Sequence, residues 1–122
     1  MIRVAEIAFS CYAVTDIVRA RAFYEGVLGL KADTVTDFPN GHWVEYEIGA
    51  GTLAIGSAAD WKPSPDGCCV ALEVEDFEDA IAHLRSAGIS FRMEPFQSPV
   101  CRMAMVLDPD GNTVCIHKRN PQ

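Results

Sequence analysis

Two apolar-rich runs, FSCYAVTD at residues 9–16 and CVALEVED at 69–76, each close on Val-x-Asp and stand sixty residues apart. A helical pattern follows each, DIVRARAFYEGVLG and then DFEDAIAHLRSAG. Both helices open on an aspartate, Asp16 or Asp76, whose carboxylate can accept from the free amides of the first turn. Both run to a glycine, Gly29 or Gly88, suited to the left-handed residue that ends a helix. Three strand-like runs come after each helix, near residues 30–37, 42–48 and 51–57 in the first half and 89–95, 101–107 and 112–118 in the second. Turn chemistry separates them: GAGT at 49–52 predicts a hairpin, and DPDGN at 108–112 combines a φ-fixing Pro109 with a positive-φ Gly111. The chain is therefore read as α+β, a βαβββ module written twice, since a strand period and a helix period alternate in the same order in both halves. The first module spans about 4–57 and the second about 68–118. A connector at about 58–67, with two prolines and a glycine, joins them. Neither half has enough sheet and helix to close a core alone, so one paired domain is expected over 1–122.

Composition narrows the function classes. A chain of 122 residues with 49% hydrophobic and 22% charged residues suits a globular domain. Its formal charge of −7, from 17 acidic and 10 basic residues, disfavours nucleic acid and anionic lipid as partners. No apolar run is long enough to span a bilayer. MIRVAEIAFS lacks the basic start, apolar stretch and cleavage site of a secretory signal, so a cytoplasmic location is expected. Cys11, Cys68, Cys69, Cys101 and Cys115 make an odd set with no C-x-x-C spacing, and in a reducing compartment they are read as free thiols.

One set of residues identifies a resemblance: Val14-Thr15-Asp16, Ala22-Phe23-Tyr24, Val27-Leu28-Gly29-Leu30 and Asp108-Pro109-Asp110-Gly111-Asn112. Over nearly the whole chain it resembles the vicinal oxygen chelate superfamily, also called the glyoxalase/bleomycin resistance/dioxygenase superfamily. The resemblance implies a cupped mixed sheet with helices outside and a cavity within. It also implies that metal-using members take His and Glu ligands from the first and fourth strands of each module. Carried over position by position, those places fall on Phe9, Ala54, Cys69 and Cys115. Phe9 and Ala54 have no donor atom, so neither metal nor other cofactor is expected. An atypical zinc site of Cys69, Cys115 and His117 stays open, although structural thiolate sites normally converge four ligands. A Cys69–Cys115 disulfide would need an oxidising compartment. The favoured reading makes both cysteines small apolar wall residues.

Strand parity sketches that wall. Ile7, Phe9 and Cys11 share a face, as do Cys69 and Ala71, and likewise Thr113, Cys115 and His117. On HWVEYEI, Val44, Tyr46 and Ile48 suit a helix-packed core, which leaves Trp43, Glu45 and Glu47 inward or toward solvent. Either Met103 and Met105 or Arg102 and Ala104 line the cup. The candidate ligand-binding residues are Phe9, Cys11, Trp43, Glu45, Cys69, Met103, Cys115 and His117, a mainly apolar surface with a few orienting polar groups. Glu45 and His117 are the candidates for acid–base work. Each has a plainer reading: Trp43 as packing, Glu45 as a solvated strand residue, His117 as an exposed chain end. The expected function is metal-independent binding of an apolar or aromatic small molecule. The alternative is a glyoxalase-type lyase or related metal-dependent enzyme with an atypical site. Relatives of two modules often pair, and Trp43 and Trp61 are expected to be exposed, so a homodimer is expected.

Overall fold

The computed structural model describes residues 1–121, and the chain divides into two units, Met1–Lys62 and Pro63–Gln122. The first unit contains β1 (Ser10–Ala13), α1 (Ile17–Arg21), a π-helical segment (Ala22–Val27), β2 (Thr34–Phe38), β3 (Gly41–Ile48) and β4 (Gly51–Ala58). The second contains β5 (Val70–Glu73), α2 (Phe77–Ser86), β6 (Phe91–Gln97), β7 (Cys101–Leu107) and β8 (Thr113–Arg119). Each forms a four-stranded sheet, ordered β1-β4-β3-β2 and β5-β8-β7-β6. In both, the first strand runs parallel to the last and every other pairing is antiparallel. The repeated βαβββ reading is the observed α+β fold.

Local chemistry sets the helix ends. The Asp16 side chain accepts from the amides of Val18 and Arg19, and that of Asp76 accepts from Asp79. Gly29 and Gly88 take φ of 75° and 73°, where a side chain would be strained. Two strands begin later than expected for the same reason. Leu30 N–H still reaches Tyr24 O and Ile89 N–H still reaches Leu84 O. These amides finish the helix termini, so the chain pairs as sheet only from Thr34 and Phe91. Phe9 and Cys69, read as the starts of their strands, each stand one residue ahead of them.

One helical face and one sheet face make each core. In the first unit Phe23 and Tyr24 pack on Tyr12, Val44, Tyr46, Leu53 and Ile55, all buried. Tyr24 lies between Tyr12 and Tyr46, with ring centroids at 6.1 and 6.2 Å. In the second unit Phe77, Ile81 and Leu84 of α2 are buried, as are Ala104, Val106, Val114 and Ile116. Arg102, on the same side of β7, lays its guanidinium 5.2 Å from the Phe77 ring. This settles the parity of β7: Arg102 and Ala104 face α2, while Met103 and Met105 take the opposite face with their partners His117 and Cys115.

The π-helical segment widens the turn so that Leu28 N–H reaches Phe23 O. Glu25, within it, accepts from the hydroxyl of fully buried Tyr46 at 2.9 Å and from Arg21 Nε at 2.6 Å. The Arg21 bond, with help from Tyr46, holds the Glu25 carboxyl below its ordinary range. Burial, reinforced by Glu25, pushes the Tyr46 phenol up. Tyr46→Phe should therefore cost about 1.5 kcal/mol in urea unfolding at neutral pH, the usual worth of a hydrogen bond to a charged group. Glu25 is depressed in the folded state, so its contribution is complete above the unfolded carboxylate value. That contribution should fade as the pH falls through the lower folded value. A penalty for Tyr46→Phe as large at pH 3 as at pH 7 would refute this assignment.

Candidate functional site

Cross-strand register assigns the residues of each sheet's face away from its helix. In the first unit Cys11 and Glu45 both pair with Ala54, Trp43 pairs with Gly56 and Thr36, and Glu47 pairs with Thr52. These residues alternate with the core set Tyr12, Val44, Tyr46, Leu53 and Ile55, as the parity of β3 predicts.

Aromatic rings gather on this face. Phe9 meets Trp43 edge-on, with centroids 5.2 Å apart, and Trp43 lies 6.5 Å from Trp61 at an interplanar angle of 20°. Phe9 is 46% exposed, Trp61 38% and Phe38 55%. Trp43 Nε1 donates to Glu45 Oε2 at 2.8 Å, which fixes the indole. Gly56 makes room for both indoles: a Cβ there would stand 2.8 Å from Trp43 Cε3 and 2.9 Å from Trp61 Cζ3. Trp61 falls in the connector by sequence, but its amide bonds Ala58 O and so brings it back beside the sheet. Phe38, Gly41, Trp43, Gly56, Ala58 and Trp61 line most of a groove of about 300 Å³. Sequence reasoning missed Phe38, Gly56 and Trp61. A glycine facing a tryptophan across two strands is the signal that would have flagged Gly56.

In the second unit Met105 pairs with Cys115 and Met103 with His117, while Ala71 and Glu73 pair with Cys115 and His117 from the other side. His117 Nδ1 lies 2.6 Å from Glu73 Oε1, and Glu73 Oε2 accepts from the Arg119 amide at 2.7 Å. His117 is thus held by a carboxylate rather than loose at a chain end. Glu73 was not foreseen, because its partner lies 44 residues away. The DPDGN turn has a structural job. Asp108 Oδ1 accepts from the amides of Asp110 and Asn112, and Asn112 Oδ1 accepts from Ser64 N, so the turn ties down the connector. Arg92 bonds Pro65 O, Thr113 Oγ1 and Asp66 in the same place.

The places a metal would occupy by resemblance do not fit one. Phe9 and Ala54 offer no donor. Desolvation, with the neighbouring Cys69 and Cys101, pushes the Cys115 thiol up to about 11, so it is protonated at neutral pH. Cys69 is also raised, by burial, against lowering by the Cys115 amide and Arg92. Among the described residues no three His, Cys, Asp or Glu side chains form a group able to hold an ion, so Cys69, Cys115 and His117 are not gathered into a site. All five cysteines are free. Burial and then Glu45 push Cys11 up to about 12.

Comparison with known proteins follows the fold. The family model described as Glyoxalase/Bleomycin resistance protein/Dioxygenase superfamily matches residues 3–116. No curated protein sequence matches. Among solved structures the chain is similar to TnmS3, an antibiotic binding protein from Streptomyces sp. CB03234. That pair has a TM-score of 0.78 and 22% identity over 98% of this chain and 100% of that one. It is also similar to the trypanothione-dependent glyoxalase I of Leishmania major, with a TM-score of 0.78 and 22% identity over 94% of this chain and 87% of that one. A superfamily domain from Frankia sp. EAN1pec gives a TM-score of 0.77 at 13% identity over 97% and 100%.

The thiol environments lead to a chemical test. Iodoacetamide at pH 8 should modify Cys68 and Cys69, the two exposed thiols, well before Cys11 and Cys115, and all five should react in denaturant. Peptide mass spectrometry that finds Cys115 labelled first in the native protein would contradict the burial assigned to it.

Proposed function

This chain belongs to the glyoxalase/bleomycin resistance/dioxygenase superfamily, and from that premise we propose that it is a metal-independent small-molecule-binding protein. Its ligand is apolar or aromatic and sits on the helix-free face of the first unit's sheet. The observation that carries this reading is the partly exposed Phe9–Trp43–Trp61 cluster standing over Gly56. Exposed rings at this density cost water contact unless something covers them, and flat π faces stack favourably on flat ligands. The groove is at the small end of the range that holds organic ligands. Glu45 fixes the Trp43 plane beforehand, which lowers the ordering cost of binding. Cys11 and Ala54 supply a neutral floor.

Donor chemistry supports the metal-free part of the proposal. Phe9 fills a position where a metal-using relative needs a donor, and Cys115 sits as a buried, protonated thiol. The Met103, Cys115 and His117 face of the second sheet is a surface of the same kind, soft and apolar, with one imidazole oriented by Glu73. Its Met103 can adapt to different ligand shapes. The alternative, a glyoxalase-type lyase, would need a metal to polarise its substrate, and no such donor set is present in this sequence's matching positions.

Titrating the protein with planar aromatic compounds should quench tryptophan fluorescence to saturation at one equivalent per chain. Trp61→Ala should weaken the affinity by about tenfold or more, the loss of one good stacking contact. Elemental analysis of protein purified without chelator should find well under one metal per chain. Equimolar nickel, zinc, iron or manganese, or no response to any aromatic ligand, would overturn the proposal. The protein is also proposed to be a cytoplasmic homodimer, covering part of its exposed apolar residues by self-association. Light scattering at micromolar concentration should then give twice the 13.3 kDa chain mass, and a monomer mass would end that part of the proposal.

A further inference from the structure

We infer that the ligand of the first unit's helix-free face is an organic cation, a flat aromatic ring system carrying a positive charge. This rests on the binding reading above and adds the chemical class.

The charge pattern of the strands is the first observation. The four strands of the first unit, SCYA, TVTDF, GHWVEYEI and GTLAIGSA, contain Asp37, Glu45 and Glu47 and no lysine or arginine. The matching strands of the second unit carry Arg92, Arg102, Lys118 and Arg119 against Glu73 and Glu94, a net positive set. The two sheets share a fold but have opposite electrostatic character. Arg3, Arg19, Arg21, Lys31 and Lys62 all stand outside the first unit's strands, and Arg21 is engaged by Glu25.

The placement of the carboxylates is the second. Glu45 and Glu47 lie on the helix-free face, in the rows of Ala54 and Thr52. Glu45 is partly buried beside the indole whose N–H it accepts. A carboxylate bonded to that N–H adds electron density to the ring and strengthens its attraction for a cation. Phe9, Trp43 and Trp61 present the π surfaces, with the negative faces of two nearly parallel indoles 6.5 Å apart. Burial and then Glu45, its neighbour across Ala54, push the Cys11 thiol up. An anion stacked on Trp43 would meet the Glu45 carboxylate beside it. A neutral ring would gain the stacking alone. Only a cation gains both the stacking and the charge.

The test uses the full chain and three flat bicyclic probes of similar size, titrated by calorimetry at pH 8. They are 1-methylquinolinium as the cation, quinoline as the neutral ring and 1-naphthoate as the anion. The cation should bind about tenfold tighter than quinoline, and 1-naphthoate should bind weakest. Raising sodium chloride from 0.02 to 0.5 M, which shortens the Debye length about fivefold, should erode the cation's advantage by several-fold. Glu45→Gln, whose amide oxygen can still accept from Trp43, should cut the advantage to about threefold or less. Equal affinity for cation and neutral ring, or preference for the anion, would overturn the inference and leave small-molecule binding standing. If none of the three binds, the binding reading falls with it. The salt series on the unaltered protein decides the matter even if Glu45→Gln folds poorly.

Discussion

The parallel pairing of each unit's first strand with its last is the constraint on which the rest depends. With the last strand seated beside the first, the second strand is left at the opposite edge of the sheet, so the chain must cross the sheet between them, and the helix makes the crossing. The helix then covers one face of the four-stranded sheet and leaves the other open. Cys11 and Ala54, distant in sequence, come to lie side by side in this way, as do Ala71 and Cys115. Any chemistry on the open faces is set by what stands in those rows.

Filling the central rows with alanine, phenylalanine and thiols rather than imidazole and carboxylate changes what the same scaffold can do. A metal-holding face spends its polar groups on one ion. Here the polar groups that remain act on side chains instead: Glu45 fixes an indole, and Glu73 fixes an imidazole and receives a backbone amide. Fold and function separate at this point, since a shared fold does not carry a shared donor set. Similarity to both an antibiotic binding protein and a glyoxalase I at 22% identity fits that separation.

Much of the architecture was legible in the residues because it depends on short-range chemistry. Asp16 and Asp76 cap their helices, Gly29, Gly88 and Gly111 take positive φ, and the alternation of β3 sorts Val44 and Tyr46 from Trp43 and Glu45. What escaped depends on contacts between distant residues. The parity of Met103 and Met105 was undecided until Arg102 was found stacked on Phe77. Trp61 read as linker because its return to β4 rests on a single bridge to Ala58. Leu30 and Ile89 read as strand because apolar composition does not reveal that an amide is still engaged by the preceding helix. For the candidate site, the positions without metal donors were visible in the sequence. The indole pair over Gly56 and the Glu73–His117 contact were not, since both need the register of nonadjacent strands.

The wide turn at Ala22–Val27 answers a difference in length between the two helical crossings. Gly29 stands thirteen positions after Asp16, but Gly88 only twelve after Asp76. The caps and the closing glycines are otherwise equivalent, and the second helix is regular throughout. One surplus residue must be absorbed somewhere between fixed ends, and a five-residue hydrogen-bond step absorbs one without breaking the core contacts of Phe23 and Tyr24. The π segment is where the first helix takes up that extra residue. It also put Glu25, which has no counterpart partner in the second half, within reach of Tyr46.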